Sequence, residues 1–141
     1  MQSQYDLPYQ AAAPALQYVG VGPRFLAVLI DSIILGIIYG ILAFALRGST
    51  AVGTLMGIIG IAYLIVMEAT QGATIGKKVL GLRVVKLDGT PIGWGESITR
   101  NLLRIIDSIG AYLLGAILIW TSPTKQRLGD RVAKTVVIRT R

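Results

Sequence analysis

The chain has 141 residues, of which 53% are hydrophobic and 15% charged, so a soluble domain of this length could not bury its apolar surface. The absence of cysteine and histidine excludes disulfides, thiolate chemistry and the most frequent general base and metal ligand. The net charge is +7, but the basic residues lie beside apolar segments, which favours anionic lipid headgroups over nucleic acid as partner.

The N-terminal segment, residues 1–23, contains three prolines, three tyrosines and four glutamines without sustained periodicity. This composition predicts a mobile tail. We expect no cleavable signal peptide, because no basic region precedes a short apolar segment and a small-residue cleavage site. The remaining residues, 24–141, are predicted to form a single membrane domain.

Two apolar segments follow the tail. Residues 25–46 carry a single charge, Asp31, and residues 51–69 carry only Glu68 near their end. A helix needs roughly 20 mostly apolar residues to cross the hydrocarbon region of a bilayer. Both segments therefore predict transmembrane helices, and the short RGST sequence between them predicts a tight connection.

The second half of the chain mixes strand-like and helix-like patterns. The segments LRVVKL at 82–87 and TVVIR at 135–139 predict two strands that pair with each other, which would satisfy their backbone groups. Between them, residues 98–120 form a third apolar segment that contains Arg100, Arg104 and Asp107.

The basic residues indicate the topology of the chain. Residues 47–50 contain one arginine, whereas residues 70–97 contain four basic residues, which predicts a cytoplasmic N-terminus in a multi-pass protein of the cell membrane. If residues 98–120 crossed the membrane once, the basic C-terminal tail would lie outside. A re-entrant hairpin broken near the DSIG sequence at 107–110 keeps the tail inside, and we favour it over a third span.

These patterns predict an all-α membrane protein. It has two transmembrane helices, a third membrane-embedded segment that is re-entrant or spanning, and a small cytoplasmic element of two strands and an amphipathic helix.

Asp31 is the first candidate for a functional site. It lies seven residues into the first span, where a carboxylate costs roughly 2.5–3.5 kcal/mol to insert. Arg24 lies seven positions earlier, on nearly the same helical face. Asp31 could bind a proton or a cation, or it could pair with a basic group and hold the helices together. We favour the structural interpretation.

Further charged residues extend this set. Glu68 and Asp107 are additional candidates for ion or proton binding, and Glu68 should lie in the same leaflet as Arg24. Glu96, Arg100, Arg104 and Asp107 recur at helical spacing and predict an amphipathic helix at the headgroup level.

The C-terminal sequence KQRLGDRVAKT places Asp130 between two arginines. It forms either a turn of a headgroup-binding helix or a motif that docks beneath the spans and pairs with Asp31 or Arg24. The set of predicted structural or gating charge partners is Arg24, Arg104, Asp130 and Arg131.

Four segments occur in a characteristic order: RFLAVLID at 24–31, QGATIGKKVLGLRVV at 71–85, ITRNLLRIID at 98–107 and SPTKQRLGDRVAKTVVI at 122–138. With these segments, about residues 20–139 resemble the RDD family of small, mostly bacterial membrane proteins, named for one arginine and two aspartates.

The resemblance assigns the family arginine and first aspartate to Arg24 and Asp31. It assigns the second aspartate to Asp130, with Asp107 as the less fitting candidate. Many family members have a histidine before the last aspartate, where this chain has Gly129. The resemblance implies transport, with monovalent cation/proton exchange in some members, or a scaffolding module.

Two functions are therefore expected. The first is an oligomeric monovalent cation/proton transporter in which Asp31 alternately binds a proton and a cation. The alternative is a non-catalytic membrane scaffold or adaptor that binds lipid headgroups or a membrane or cytoplasmic protein. The G-x-x-x-G pairs Gly36–Gly40 and Gly53–Gly57 are compatible with close packing of the spans or a homo-oligomer. We expect no enzymatic activity, cofactor, metal site or nucleic-acid partner.

Overall fold

The computed structural model describes residues 15–109 and 113–140, apart from the side chains of residues 107–109, 114 and 115. Most of the predicted tail, residues 1–14, lies outside the described residues. The described chain forms, in order, α1 (Val21–Ala45), α2 (Thr50–Gln71), α3 (Ile75–Val79), β1 (Leu82–Lys86), α4 (Trp94–Ile109), α5 (Leu113–Thr121), α6 (Leu128–Val132) and β2 (Thr135–Arg139).

The helices α1 and α2 form an antiparallel hairpin, and both are long and apolar enough to cross a membrane. The turn between them uses left-handed backbone at Arg47 (φ 54°) and Gly48 (φ 67°). Ser49 then caps α2 by accepting a hydrogen bond from the backbone N–H of Ala51 at 3.3 Å. The two predicted long apolar helices are thus confirmed, with ends that differ by one to four residues from those expected.

The outer surface of this hairpin is apolar. Large side chains on α1 are exposed at Phe25, Leu29, Ile33, Ile37 and Ile41. In water such a surface would favour aggregation, but it matches the hydrocarbon of a bilayer. The four glycines of the G-x-x-x-G pairs also face open space, because a Cβ atom at any of them would meet no atom within 4 Å. They therefore serve no packing between the two helices of this chain.

The strands β1 and β2 pair in antiparallel register from Leu82 opposite Arg139 to Lys86 opposite Thr135, which confirms the predicted small sheet. Residues 17–19 extend this sheet on the other side of β2: the N–H of Val19 donates to the carbonyl of Val137 at 3.0 Å. Residues 17–19 of the segment predicted as a tail are therefore part of the fold, and α1 begins at Val21, within that segment.

The buried apolar core lies where the sheet meets the start of α1. It contains Val19, Ala27, Leu82, Val84, Ile92 and Val137. The short helix α3 packs beside this core against α1, at a point where the two backbones approach closely. A Cβ atom at Gly76 would lie 2.1 Å from the carbonyl oxygen of Ala27. Only glycine permits this contact without displacing α3.

The third predicted apolar segment is divided in the structure. The helix α4 begins at Trp94, four residues before the expected start, and packs against α2 and α6. The helix α5 contacts α1 and α4, and residues 110–112 between the two helices lie outside the described residues. Neither helix reaches the length of α1 or α2, so a third spanning helix is not found in the described residues.

We predict that Gly76→Ala lowers the free energy of unfolding by about 1–3 kcal/mol, because the added methyl group collides with the backbone of Ala27. Thermal unfolding in detergent measures this effect. The matched control is Gly57→Ala in α2, where the added Cβ meets open space and the melting temperature should stay unchanged or rise slightly. Equal melting temperatures for the two variants would contradict the close contact.

Candidate functional site: a buried charge network at one end of the spans

Asp31 is buried in α1 and accepts three hydrogen bonds from uncharged donors. Its Oδ1 accepts from the hydroxyl of Tyr63 and from the backbone N–H of Gly76, both at 2.8 Å, and its Oδ2 accepts from the hydroxyl of Thr74 at 2.6 Å. Tyr63 lies in α2, whereas Thr74 and Gly76 lie at the start of α3. The carboxylate thus joins three helices, and Arg24 is not its partner.

Arg24 instead pairs with Asp130 near the other end of the sequence. Its Nη1 lies 2.6 Å from Oδ2 of Asp130, and its Nε donates to the carbonyl of Val19 at 3.1 Å. Its Nη2 donates to the carbonyl of Lys125. Asp130 also accepts from the backbone N–H of Arg127 at 3.2 Å, which fixes the start of α6. The C-terminal motif therefore docks at the N-terminal end of α1.

Arg100 in α4 bridges two buried carboxylates. Its Nη1 donates to Asp130 and, at 2.7 Å, to the hydroxyl of Thr135, while its Nε lies 3.2 Å from Oε2 of Glu68. Arg100 is 1% exposed, and both acids are fully buried. Its guanidinium, a planar fork of donors, is suited to such divergent contacts. One side chain thus connects α2, α4, α6 and β2.

Glu68, in the last turn of α2, is the second acid of this network. It accepts from Lys77 in α3 and, at 3.2 Å, from the side-chain amide of Asn101, and Nη2 of Arg104 lies 3.7 Å away. Beside it, the hydroxyl of Ser97 donates to the carbonyl of Ile65 at 2.7 Å. These contacts hold the polar face of α4 against α2.

In total, five cationic side chains surround two carboxylates: Arg24, Lys77, Arg100, Arg104 and Arg127 around Glu68 and Asp130. Burial alone would raise the pKa of Asp130, but Arg100, Arg24 and Arg127 overcome it and hold that pKa below its usual range. Burial would lower the pKa of Arg100, but Asp130 and Glu68 raise it. Both residues therefore stay charged around neutral pH.

Lys77 responds differently to the same surroundings. Burial lowers the pKa of its ammonium group, the attraction of Glu68 opposes this effect, and repulsion from Arg100 and Arg104 adds to it, which leaves a pKa of about 7. Lys77 is therefore the basic residue of the network that titrates near neutral pH.

The network contains four of the residues predicted from the sequence: Arg24, Glu68, Arg104 and Asp130. Asp31 lies beside it with separate, uncharged partners. Arg131 is exposed and forms no ion pair with the residues that the structure describes. The helix α4 includes position 107, but the side chain of Asp107 lies outside the described residues, so its predicted role stays a prediction.

Sequence reasoning missed several residues of the site as partners, among them Arg100, Lys77, Tyr63 and Thr74. The polar helical face that contains Arg100 was expected to meet lipid headgroups, whereas Arg100 is buried inside the protein in the structure. The missed signal was the opposite face of α4, which is apolar at Ile98 and Leu102. When one face of such a helix must meet lipid, its polar face is the one that turns inward.

No group of three or more histidine, cysteine, aspartate or glutamate side chains in the described residues could hold a metal ion. The arrangement instead joins one end of the hairpin formed by α1 and α2 to a small sheet through buried ion pairs.

Two apolar helices of spanning length, closed at one end by this network, define a small helical membrane protein. A family model described as the RDD family matches residues 18–134. The chain belongs to the RDD family, which confirms the resemblance found in its sequence motifs.

Several curated proteins are similar to this chain. The proline-rich antigen homolog of Mycobacterium tuberculosis (strain H37Rv) is 35% identical over 89 residues, which cover 60% of this chain and 37% of that protein. The proline-rich antigen of Mycobacterium leprae is 31% identical over 72 residues, 50% of this chain and 28% of that protein. The uncharacterized membrane protein YteJ of Bacillus subtilis is 35% identical over 83 residues, 57% of this chain and 49% of that protein.

The matches thus span less than half the length of these relatives. No solved structure matches the chain.

We predict that Arg100→Met destabilises the protein by about 3–5 kcal/mol, because removal of the bridging cation leaves two buried carboxylates short of a partner. Thermal unfolding in detergent measures the loss. Arg131→Gln is the control: this exposed side chain should change the free energy of unfolding by no more than about 0.5 kcal/mol. Similar melting temperatures for Arg100→Met and Arg131→Gln would contradict the prediction, because they would mean that the network contributes little to stability.

We predict that stability rises as the pH increases from about 7 towards 10.5. Lys77 has a pKa of about 7 in the folded protein and an ordinary value of 10.5, so between these values the unfolded chain binds a proton that the folded chain does not. Melting temperatures across this range test the prediction. The rise should be reduced in Lys77→Met, and a wild-type melting temperature that falls across the range would contradict it.

Proposed function

We propose that this protein is a non-catalytic membrane scaffold. In this proposal, α1 and α2 cross the cell membrane, and residues 75–86 and 128–139, here called the platform, are held at its cytoplasmic surface. The platform contains α3, β1, α6 and β2. Its function is to present a fixed basic surface to anionic lipid headgroups.

One observation carries this proposal: the charged side chains in the two long helices, Arg24, Asp31 and Glu68, all make contacts inside the chain. Arg24 binds Asp130, Asp31 accepts three hydrogen bonds, and Glu68 binds Lys77 and Arg100. Asp31 is 6% exposed and Glu68 is fully buried. These charges connect the spans to the platform and do not line a water-filled path in the described part of the chain.

The surface of the platform supports headgroups as its partner. It exposes five basic side chains, namely Lys78, Arg83, Arg131, Lys134 and Arg139, while its single acid, Asp130, is buried. A basic residue close to an anionic membrane surface contributes about 1 kcal/mol of attraction. The opposite end of the hairpin carries only Arg47, so the excess of basic residues favours a cytoplasmic platform and N-terminus.

We predict that the protein melts at a higher temperature in nanodiscs that contain phosphatidylglycerol than in nanodiscs of phosphatidylcholine alone. The difference should shrink at high salt, which screens exposed charges, and in the triple variant Arg83→Gln, Arg131→Gln, Lys134→Gln. Arg47→Gln is the control and should keep most of the difference. Equal melting temperatures in both lipids at low salt would reject headgroup binding.

A second candidate, oligomeric monovalent cation/proton transport, is favoured by Asp31. This carboxylate lies within a span, has no cationic partner among the described residues, and is bordered by two hydroxyl oxygens, those of Tyr63 and Thr74. Carboxylate and hydroxyl oxygens are suitable ligands for a small cation. Two spanning helices cannot enclose a pore, so transport would require several copies.

Proton flux separates the two candidates. Liposomes containing the protein are given a pH gradient, and its dissipation by Na⁺, K⁺ or Li⁺ is compared with that of empty liposomes. For a scaffold we expect no difference. Cation-dependent flux that disappears in a folded Asp31→Asn variant would instead support transport. Tyr63→Phe, which retains the carboxylate, is the second variant if Asp31→Asn does not fold.

A further inference from the structure

The two faces of α4 are inverted relative to those of a helix on a soluble protein. Its inner face is polar, with Ser97, Arg100 and Asn101 buried against α2 and α6. Its outer face is apolar and lies between 41% and 53% exposed at Trp94, Ile98, Leu102, Ile105 and Ile106. A helix that borders water places its apolar face inside and its polar face outside. The surroundings of α4 are therefore apolar.

The contacts of α4 with α2 give its depth. The hydroxyl of Ser97 binds the carbonyl of Ile65, and Ile65 lies six residues before the end of α2 at Gln71. At 1.5 Å per residue this distance is about 9 Å along the helix axis. The first turns of α4 thus lie beside the body of a spanning helix and not beyond its end.

The helix α5 continues the apolar surface. It exposes Leu113, Ile117 and Trp120, and it contacts α1 and α4. Its nine residues measure about 14 Å and the 16 of α4 about 24 Å, so neither crosses a hydrocarbon core of about 30 Å.

The ion pairs show at which end of α1 and α2 the part of the chain from α4 to α6 is attached. Arg100, near the start of α4, and Asp130, beyond α5, both belong to the network at the end of the hairpin where α1 begins and α2 ends. The start of α4 and the chain that follows α5 therefore lie at the same end of the hairpin formed by α1 and α2.

We propose that the exposed apolar face of α4 and α5 is a lipid-contact surface immersed in the acyl chains of one leaflet, on the side where α1 begins. This inference rests on the proposed function only for the placement of α1 and α2 across a bilayer. The surface joins the apolar surface of these spans through the packing of α4 on α2 and of α5 on α1.

The two tryptophans fit this placement. Trp94 is the first residue of α4 and Trp120 is next to the last residue of α5, and they are 53% and 64% exposed. Tryptophan is enriched where the acyl chains of a bilayer meet its headgroups. The start of α4 and the end of α5 thus each carry the side chain typical of that depth, on the same side of the membrane.

Tryptophan fluorescence tests the proposal, since Trp94 and Trp120 are the only tryptophans of the chain. Trp94→Phe and Trp120→Phe each leave one reporter. Both variants are reconstituted in vesicles with phosphatidylcholine brominated at shallow or deep positions of the acyl chains. We expect both reporters to be quenched, more strongly by shallow than by deep bromines, and only weakly by iodide in the water.

Two reference variants calibrate the measurement in the Trp94→Phe, Trp120→Phe background. Ile33→Trp on the exposed side of α1 should be quenched by deep bromines, and Lys134→Trp on the platform only by iodide. Quenching of Trp94 and Trp120 by iodide alone would overturn the proposal. Quenching by neither agent would also overturn it, because a second copy or another protein would then cover this face.

The references also separate the failure of this inference from failure of the proposed function. If Ile33→Trp is not quenched by bromine, the spans themselves do not meet lipid and the membrane placement is wrong. If Ile33→Trp is quenched by bromine while Trp94 and Trp120 are not, only the lipid contact of α4 and α5 is rejected.

Discussion

Arg100 lies between the carboxylates of Glu68 and Asp130, three buried charges that come from separate helices. A carboxylate taken out of water is tolerated only when a cation and further hydrogen bonds replace its hydration. Displacement of either acid would break one of the two ion pairs that Arg100 forms. Through Asp130 the bridge extends to Arg24 in α1, and through Glu68 to Lys77 in α3. The positions of five of the six described helices therefore depend on one guanidinium group.

This constraint also explains why so polar a cluster occurs in so apolar a chain. The helices α1 and α2 could associate through dispersion contacts alone, but such contacts do not specify one arrangement of two apolar helices. Ion pairs between defined atoms do so, because each alternative arrangement would leave a charge without its partner. The two charge clusters around Glu68 and Asp130, together with the uncharged contacts of Asp31, fix the sheet and its flanking helices relative to the hairpin.

The sequence was sufficient for features that depend on the length and composition of one segment. Two uninterrupted apolar runs predicted α1 and α2, and β-branched residues predicted the pairing of β1 with β2. The partners of Asp31 were not predictable, because Tyr63, Thr74 and the N–H of Gly76 are uncharged donors that leave no charge pattern. The direction of Arg100 did not follow from helical spacing alone, which identifies a polar face but not whether it meets protein or headgroups; the apolar opposite face at Ile98 and Leu102 was the additional signal.

The pairing of Arg24 with Asp130 spans 106 positions of the sequence. During synthesis the arginine leaves the ribosome long before its carboxylate, and α1 and α2 are complete before either α6 or β2 exists. While the chain is being synthesised, Arg24 therefore lacks this partner and Glu68 lacks Arg100. The network cannot be complete until Asp130, its last member in sequence order, has been synthesised.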